Sequence, residues 1–255
     1  MALCQGKPSA GLPDFLIIGA QKSGTSALYH NLNKHPSIYL PRSDGKIEIH
    51  FFSQGKQWRR GVEWYKSHFI HPDCLQGEKT PEYLVRTKCH ERMHRTVPNA
   101  KLIILLRNPI DRAYSQWNHF NQAYKKSKQW GWKLVDFETA ITSNRDMIKR
   151  GEYIDQIKHL LAFYNRNQIH ISIAEKMKKD LGTEIGKVLS FLNMAPADIR
   201  YENRHERTYP APMNRDVRKQ LSSHYQSFND RLFDFLGYSV PEWDYRQAPN
   251  GKDEQ

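Results

Sequence analysis

The sequence predicts an α/β fold in three layers, with a mostly parallel central sheet flanked by helices. Three features predict it. Lys101 to Leu106 reads KLIILL, an unbroken apolar run of the kind a parallel strand covered on both faces needs. Phe15 to Ile18 is a second short apolar run, and it passes through Gly19 into a polar turn and then a helix. Downstream, short apolar runs alternate with segments of helical periodicity, which implies crossover connections and parallel pairing.

Taken in chain order, strands are predicted at 15–18, at Ile38 to Leu40, at Leu75 to Lys79, at 101–106 and at Gln168 to Ile173. Helices are predicted over 25–34, 110–124, 155–165, 184–193 and 215–227. Near the third, Ile154, Ile157, Leu160, Leu161 and Tyr164 form one stripe; in the fourth, Ile185, Val188, Leu189 and Leu192 do. Both stripes read as core-facing. Residues 1–12 and 246–255 are polar and are expected to be flexible, which leaves 13–245 as a single domain.

Composition narrows the class. The chain has 255 residues and 38% hydrophobic content, enough for a sizeable core. No apolar run approaches the ~20 residues of a membrane span, and the polar N-terminus does not read as a signal peptide. Cys4, Cys74 and Cys89 have no metal-ligand spacing, and their odd number argues against a disulfide framework, so a cytoplasmic setting is expected. A net charge of +12 favours an anionic partner. No nucleic-acid module is recognisable, so nucleic acid is not expected as that partner.

The turn after the first strand carries chemistry. In Phe15 to Ser26, FLIIGAQKSGTS, a strand enters a small polar turn that opens a helix. Backbone N–H groups and the positive end of the helix dipole then converge on one point, which suits a phosphate. The spacing nearly matches the P-loop G-x-x-x-x-G-K-[ST], so the fold is read as P-loop-like. Gly19 and Gly24 are correctly separated, but Thr25 stands where the lysine belongs, and Lys22 lies earlier in the turn. A strand–glycine–helix turn with no ligand is the plainer alternative.

A second stretch, Arg107 to His119 (RNPIDRAYSQWNH), follows the best strand directly. Asn108-Pro109 marks a break and a helix start. Arg107 and Ser115 could together hold a second phosphate. Alternatively Arg107 pairs with a carboxylate and Ser115 is a packing residue. The strand ends in Arg-Asn and not in the acidic metal ligand of a phosphoryl transferase, so a metal-free site of cations and hydroxyls is expected.

With these residues in view, the chain resembles sulfotransferases that use 3′-phosphoadenosine-5′-phosphosulfate (PAPS). QKSGTS resembles the family's 5′-phosphosulfate loop, and RNPIDRAYS its 3′-phosphate motif. Glu48 to Phe52 (EIHFF), GVEWY at 61–65, GEKTP at 77–81, Arg150 to Tyr153 and the tail from Arg207 to Gly237 are similar to the heparan-sulfate N- and 3-O-type group and its bacterial members.

The resemblance implies sulfuryl transfer from PAPS, leaving 3′-phosphoadenosine-5′-phosphate (PAP), to a hydroxyl or amine of a small-molecule or glycan acceptor, with no metal. It implies that Gln21, Lys22, Ser23, Gly24, Thr25 and Ser26 line the 5′-phosphate, with Lys22 at the bridging oxygen. Arg107 and Ser115 would take the 3′-phosphate, with Tyr153, Arg204 and Arg207 as further nucleotide contacts. A general base is needed. Glu48 matches the group's catalytic glutamate; otherwise it is a surface carboxylate paired with Lys46. His119, one helical turn past Ser115, is the second candidate; His50, which alternates with Glu48 in a segment expected to be extended so that both share one face, is a weaker third. Lys79 is expected near the sulfuryl group, or else is a solvated lysine beside Glu78. Asn121 to Lys133 is either an acceptor wall or a plain loop. A small polar natural product is the expected acceptor, with a polysaccharide or glycolipid as the alternative. The readings from other classes are a nucleotide kinase with an aberrant P-loop and a non-catalytic polyanion binder.

Overall fold

The computed structural model describes residues 11–127, 134–202 and 212–244. The elements run β1 (Phe15–Gly19), α1 (Thr25–Leu32), β2 (Ile38–Tyr39), α2 (Gly55–Trp58), α3 (Gly61–Lys66), β3 (Leu75–Lys79), α4 (Thr87–Thr96) and β4 (Lys101–Leu106). There follow α5 (Pro109–Ser127), α6 (Phe137–Ser143), α7 (Arg145–Lys149), α8 (Tyr153–Leu160), β5 (Ile169–Ile173), α9 (Ala174–Lys179), α10 (Leu181–Leu192) and α11 (Arg215–Leu236). The chain divides into two compact units, one of residues 1–106 with 156–205 and one of 107–155 with 206–255.

The first unit holds the sheet. Its order is β2-β3-β1-β4-β5, and every pairing is parallel, as the sequence predicts. β1 lies at the centre and is buried along its whole length. This explains its uninterrupted apolar run, since both faces are covered and no alternation is needed. Phe15 pairs in register with Gly77. A Cβ at Gly77 would lie 2.4 Å from the Phe15 ring, so the glycine makes room for that ring. Phe15, Ile17, Ile103 and Leu105 pack on α1 and on Ile185, Val188, Leu189 and Leu192 of α10, the stripe predicted to face the core. Ile157 and Leu160 of α8 are fully buried as well.

The second unit is helical. Ile110, Ala113, Tyr114 and Trp117 of α5 pack with Phe137 and Ile141 of α6, Met147 of α7, and Val217, Leu221 and Tyr225 of α11. Gly151 lets the chain pass tightly, because a Cβ there would meet Pro109 and Tyr225 at 2.8 Å. α11 runs well past its predicted end at 227 and stops at Gly237, whose φ of 76° forms a left-handed cap. β5 starts one residue later than predicted, because Arg166–Gln168 forms a 3-10 turn. Among the described residues, no helix is long and apolar enough to cross a membrane.

Candidate active site

In an open parallel sheet, ligands gather beyond the carboxyl ends of the strands, where the chain changes direction between neighbours. β1 is flanked by β3 and β4, and its carboxyl end leads into the turn 20–24. The turn is anchored by the Ala20 N–H, which donates to the Leu105 carbonyl at 2.8 Å. Lys22 (φ 71°) and Gly24 (φ 95°) both adopt left-handed backbone conformations, which curl the turn into the start of α1. A left-handed residue without glycine is uncommon and clusters at ligand-holding turns. Gly24 is the N-cap of α1 and offers no side-chain acceptor; its carbonyl accepts from the Ala27 and Leu28 N–H groups, and no N-cap side chain covers the start of the helix ahead of them. Ser23 is 1% exposed and its Oγ has no hydrogen-bond partner among the described residues.

From this turn a chain of side chains leads across β3. Lys79, the last residue of β3, is 1% exposed. Its Nζ donates to Ser26 Oγ at 3.1 Å and to Glu48 Oε1 at 2.5 Å. The other carboxylate oxygen of Glu48 lies 3.2 Å from His50 Nε2, and His50 Nδ1 meets Ser53 Oγ at 3.1 Å and Glu82 Oε2 at 3.5 Å. The His50 backbone N–H donates to Thr80 Oγ1 at 3.3 Å, and the Thr80 hydroxyl in turn donates to Glu78 Oε2 at 3.1 Å. Glu78 also accepts from the hydroxyls of Tyr65, at 2.7 Å, and Tyr83, at 2.9 Å. Phe51 stacks on Tyr65 at 4.3 Å and Phe52 meets Tyr83 edge-on, so the aromatic half of EIHFF clamps the segment that presents Glu48.

The electrostatics follow from these partners. Burial pushes the Glu48 carboxyl up, but hydrogen bonds from His50 and Lys79 outweigh it and hold the group at about 2. Burial pulls His50 down, yet Glu48 and Glu82 raise it to about 9. At neutral pH His50 is therefore held in its protonated form, donating to Glu48. Lys79 is lowered by burial, against the opposing pull of Glu48. Burial raises Glu78 to about 7 despite its three hydroxyl donors.

The second unit carries the other motif. Arg107 is its first residue, directly after β4. The Tyr153 hydroxyl donates to the Arg107 carbonyl at 2.8 Å. Asn108 caps α5, accepting from the Ile110 N–H at 3.0 Å, with Pro109 as first helical residue. Ser115 is buried, and half-buried His119 follows four residues later on the same face of α5.

The structure thus brings Ser26, Glu48 and Lys79 together. Two plainer readings are corrected. Glu48 pairs with Lys79 and not with Lys46, which is exposed and bridges Ser43 through its backbone. Lys79 is not solvated, because the parallel sheet buries its stem and the Glu48 carboxylate receives its head. Tyr153 spends its hydroxyl on a backbone carbonyl. Arg204, Arg207 and the 128–133 part of the basic aromatic segment lie outside the described residues. The His50–Glu82 and Thr80–Glu78 contacts went unread in the sequence. The i, i+2 spacing of Glu48 and His50 signalled a shared face, but Glu82 arrives from the turn after β3, and nothing local announces that.

Comparison with known proteins bears on this arrangement. A family model described as "Sulfotransferase domain" matches residues 12–239. Bifunctional heparan sulfate N-deacetylase/N-sulfotransferase 4 of Mus musculus is 30% identical, over 91% of this chain and 31% of that protein. Heparan sulfate glucosamine 3-O-sulfotransferase 5 of Mus musculus is 28% identical, over 74% of this chain and 56% of that protein. The chain therefore spans about a third to just over half the length of these curated relatives. Among solved structures, a sulfotransferase from Alicyclobacillus acidocaldarius shares the fold, with a TM-score of 0.74 at 23% identity, covering 91% of this chain and 98% of that one. The matched domain spans both the turn after β1 and the Arg107–Ser115 stretch, and the chain belongs to the sulfotransferase family.

Proposed function

We propose that the chain transfers a sulfuryl group from PAPS to a hydroxyl or amine of a polar acceptor. The observation that carries this reading is the Ser26–Lys79–Glu48 chain, which ties an ionised carboxylate to the first turn of the helix behind the phosphate turn. Similarity to a bifunctional heparan sulfate N-deacetylase/N-sulfotransferase and to a heparan sulfate glucosamine 3-O-sulfotransferase supports an amine or hydroxyl on a saccharide or sugar conjugate as the acceptor. The residues fit the donor. The turn presents the Ser23, Thr25 and Ser26 hydroxyls at a helix N-terminus, and the buried, partnerless Ser23 Oγ is a group an incoming phosphate oxygen would satisfy.

When bound, PAPS supplies a sulfuryl group on a phosphate–sulfate anhydride whose bridging oxygen gains charge as the bond breaks. The chain's own part is as follows. The turn 22–26 binds the 5′-phosphate through N–H groups and hydroxyls. Lys22 supplies a fixed ammonium whose attraction grows as charge develops, which lowers the barrier instead of only tightening binding. Glu48 accepts the acceptor's proton. A carboxylate held at about 2 is a weak base, so proton transfer has to accompany bond formation to sulfur, when the acceptor becomes acidic. His50 and Lys79 orient Glu48, one on each oxygen. Arg107 and Ser115 take the 3′-phosphate, and His119 is the second candidate for the proton.

Equilibrium binding tests the reading against a kinase. Titration of the full chain is expected to show PAP bound at least ~10-fold more tightly than ATP with Mg, since a second phosphate contact by Arg is charge-assisted. Tighter, metal-dependent binding of ATP would overturn it.

A further inference from the structure

The second unit contains a cation that the proposed mechanism does not use. Arg112, in the first turns of α5, is fully buried. Its Nη1 donates to Gln116 Oε1 at 2.8 Å and its Nη2 to the Met147 carbonyl, while its Nε has no partner among the described residues. All these partners are neutral. Four carboxylates of this unit have other partners: Asp111 pairs with Arg218 at 2.5 Å, Asp146 with Arg150 at 2.8 Å and Asp155 with Arg231 at 2.8 Å, and Glu152 lies 3.1 Å from the His224 ring. Tyr153 and Tyr225 are the other titratable neighbours of the guanidinium, beside the Arg150–Asp146 pair.

A buried guanidinium with no carboxylate among its hydrogen-bond partners is costly to hold charged. Its field, however, is poorly screened in a dry interior. Arg112 lies three residues before Ser115, so the two share a face of α5. Its backbone N–H donates to the Asn108 carbonyl at 2.9 Å, in the turn that begins with Arg107. Tyr153 borders both groups, acting electrostatically on Arg112 and donating to the Arg107 carbonyl. We infer that Arg112 is a positioning cation behind the Arg107–Ser115 grip. It holds that end of α5 at positive potential and thereby sets the preference for a nucleotide bearing a 3′-phosphate. The inference rests on the 3′-phosphate role given to Arg107 and Ser115 above.

Calorimetric titration of the full chain with PAP and with adenosine 5′-phosphate tests it. The two nucleotides differ only by the 3′-phosphate. In Arg112→Met, PAP affinity is expected to fall ~10-fold while adenosine 5′-phosphate changes less than ~2-fold, because the lost field acts on the added dianion. Arg112→Lys, which keeps the charge, is expected to retain the preference. An Arg112→Met chain that folds and keeps the wild-type ratio of the two affinities overturns the inference, as does an equal loss for both nucleotides. If Arg112→Met does not fold, Arg112→Gln removes the same charge, and the same ratio of affinities supports or overturns the inference. A wild-type chain that shows no preference for PAP overturns the 3′-phosphate reading itself, a different outcome from any in the variants.

Discussion

The ammonium of Lys79 sits 2.5 Å from Oε1 of Glu48, and it does so at the buried end of β3 while the same nitrogen reaches Ser26. This pair ties the carboxylate to the phosphate turn. Removing its charge has two consequences. Glu48→Gln leaves Lys79 buried without a counter-ion, which costs about 2 kcal/mol, less than for a fully buried pair because Glu48 keeps some solvent contact. It also removes the proton acceptor, and turnover is expected to drop at least ~100-fold. Urea unfolding and steady-state rates separate the two effects. Unchanged turnover in a destabilised variant would move the base to His119.

Lys22 is predicted to act on the transition state more than on nucleotide binding. Lys22→Ala should lower turnover at least ~100-fold, the scale of losing one charge-stabilising donor, with PAP affinity changed far less. Parallel measurement of kcat and of the PAP dissociation constant checks this. A variant that loses only binding would make Lys22 an ordinary phosphate contact.

Glu78 makes stability depend on pH in a direction unusual for a carboxylate. Its folded value of about 7 lies above its ordinary value of 4.5. Below 4.5 the group is protonated in both states and contributes nothing. As pH rises from 4.5 towards 7, the unfolded chain releases the proton and the folded chain retains it, so stability falls; above 7 the loss is constant. Glu78→Gln cannot ionise and should lose this component. Chemical denaturation of both chains from pH 4 to 8 is the measurement, and parallel curves for the two would contradict the burial argument.

Two glycines make opposite kinds of prediction. At Gly77 the backbone is ordinary but the space is filled, so Gly77→Ala should destabilise by about 2 kcal/mol through overpacking against Phe15. At Gly24 the space is open, with Leu105 at 3.5 Å, but φ is 95°. Gly24→Ala should therefore cost about 1 kcal/mol in backbone strain and, since the turn must keep its shape to hold phosphate, weaken PAP binding as well. Thermal unfolding with and without PAP distinguishes them: the PAP-induced shift should shrink for Gly24→Ala and persist for Gly77→Ala.

Much of the fold was legible because burial on both faces leaves a plain signature. KLIILL and FLII are apolar without alternation, as strands covered on both faces need, and Gly19 and Gly24 mark the turn between strand and helix. The short helices α2, α6, α7 and α9 were not read, since each is too brief for a period of 3.6 to stand out, and the ten-residue α4 was not read because Cys89 and Met93 are its only apolar residues. Within the site, the local patterns were readable and the long-range partners were not. Asn108-Pro109 announces a capped helix, and Glu48 with His50 announces a shared face. That Lys79 is buried and charged against Glu48, or that Arg112 is buried among neutral groups, depends on which strands and helices come together. Sequence periodicity carries no such information about lysine and arginine, whose stems and heads can face different surroundings.

Product formation is the sharpest test of sulfuryl transfer. The full chain is incubated with PAPS and a panel of hydroxyl- and amine-bearing saccharides and sugar conjugates, and the acceptors and nucleotide are followed by mass spectrometry. The expected result is a gain of one sulfuryl group on an acceptor with equimolar PAP formed, and loss of both in Lys22→Ala. Intact PAP binding with no mass gain on any acceptor would contradict the proposed transfer.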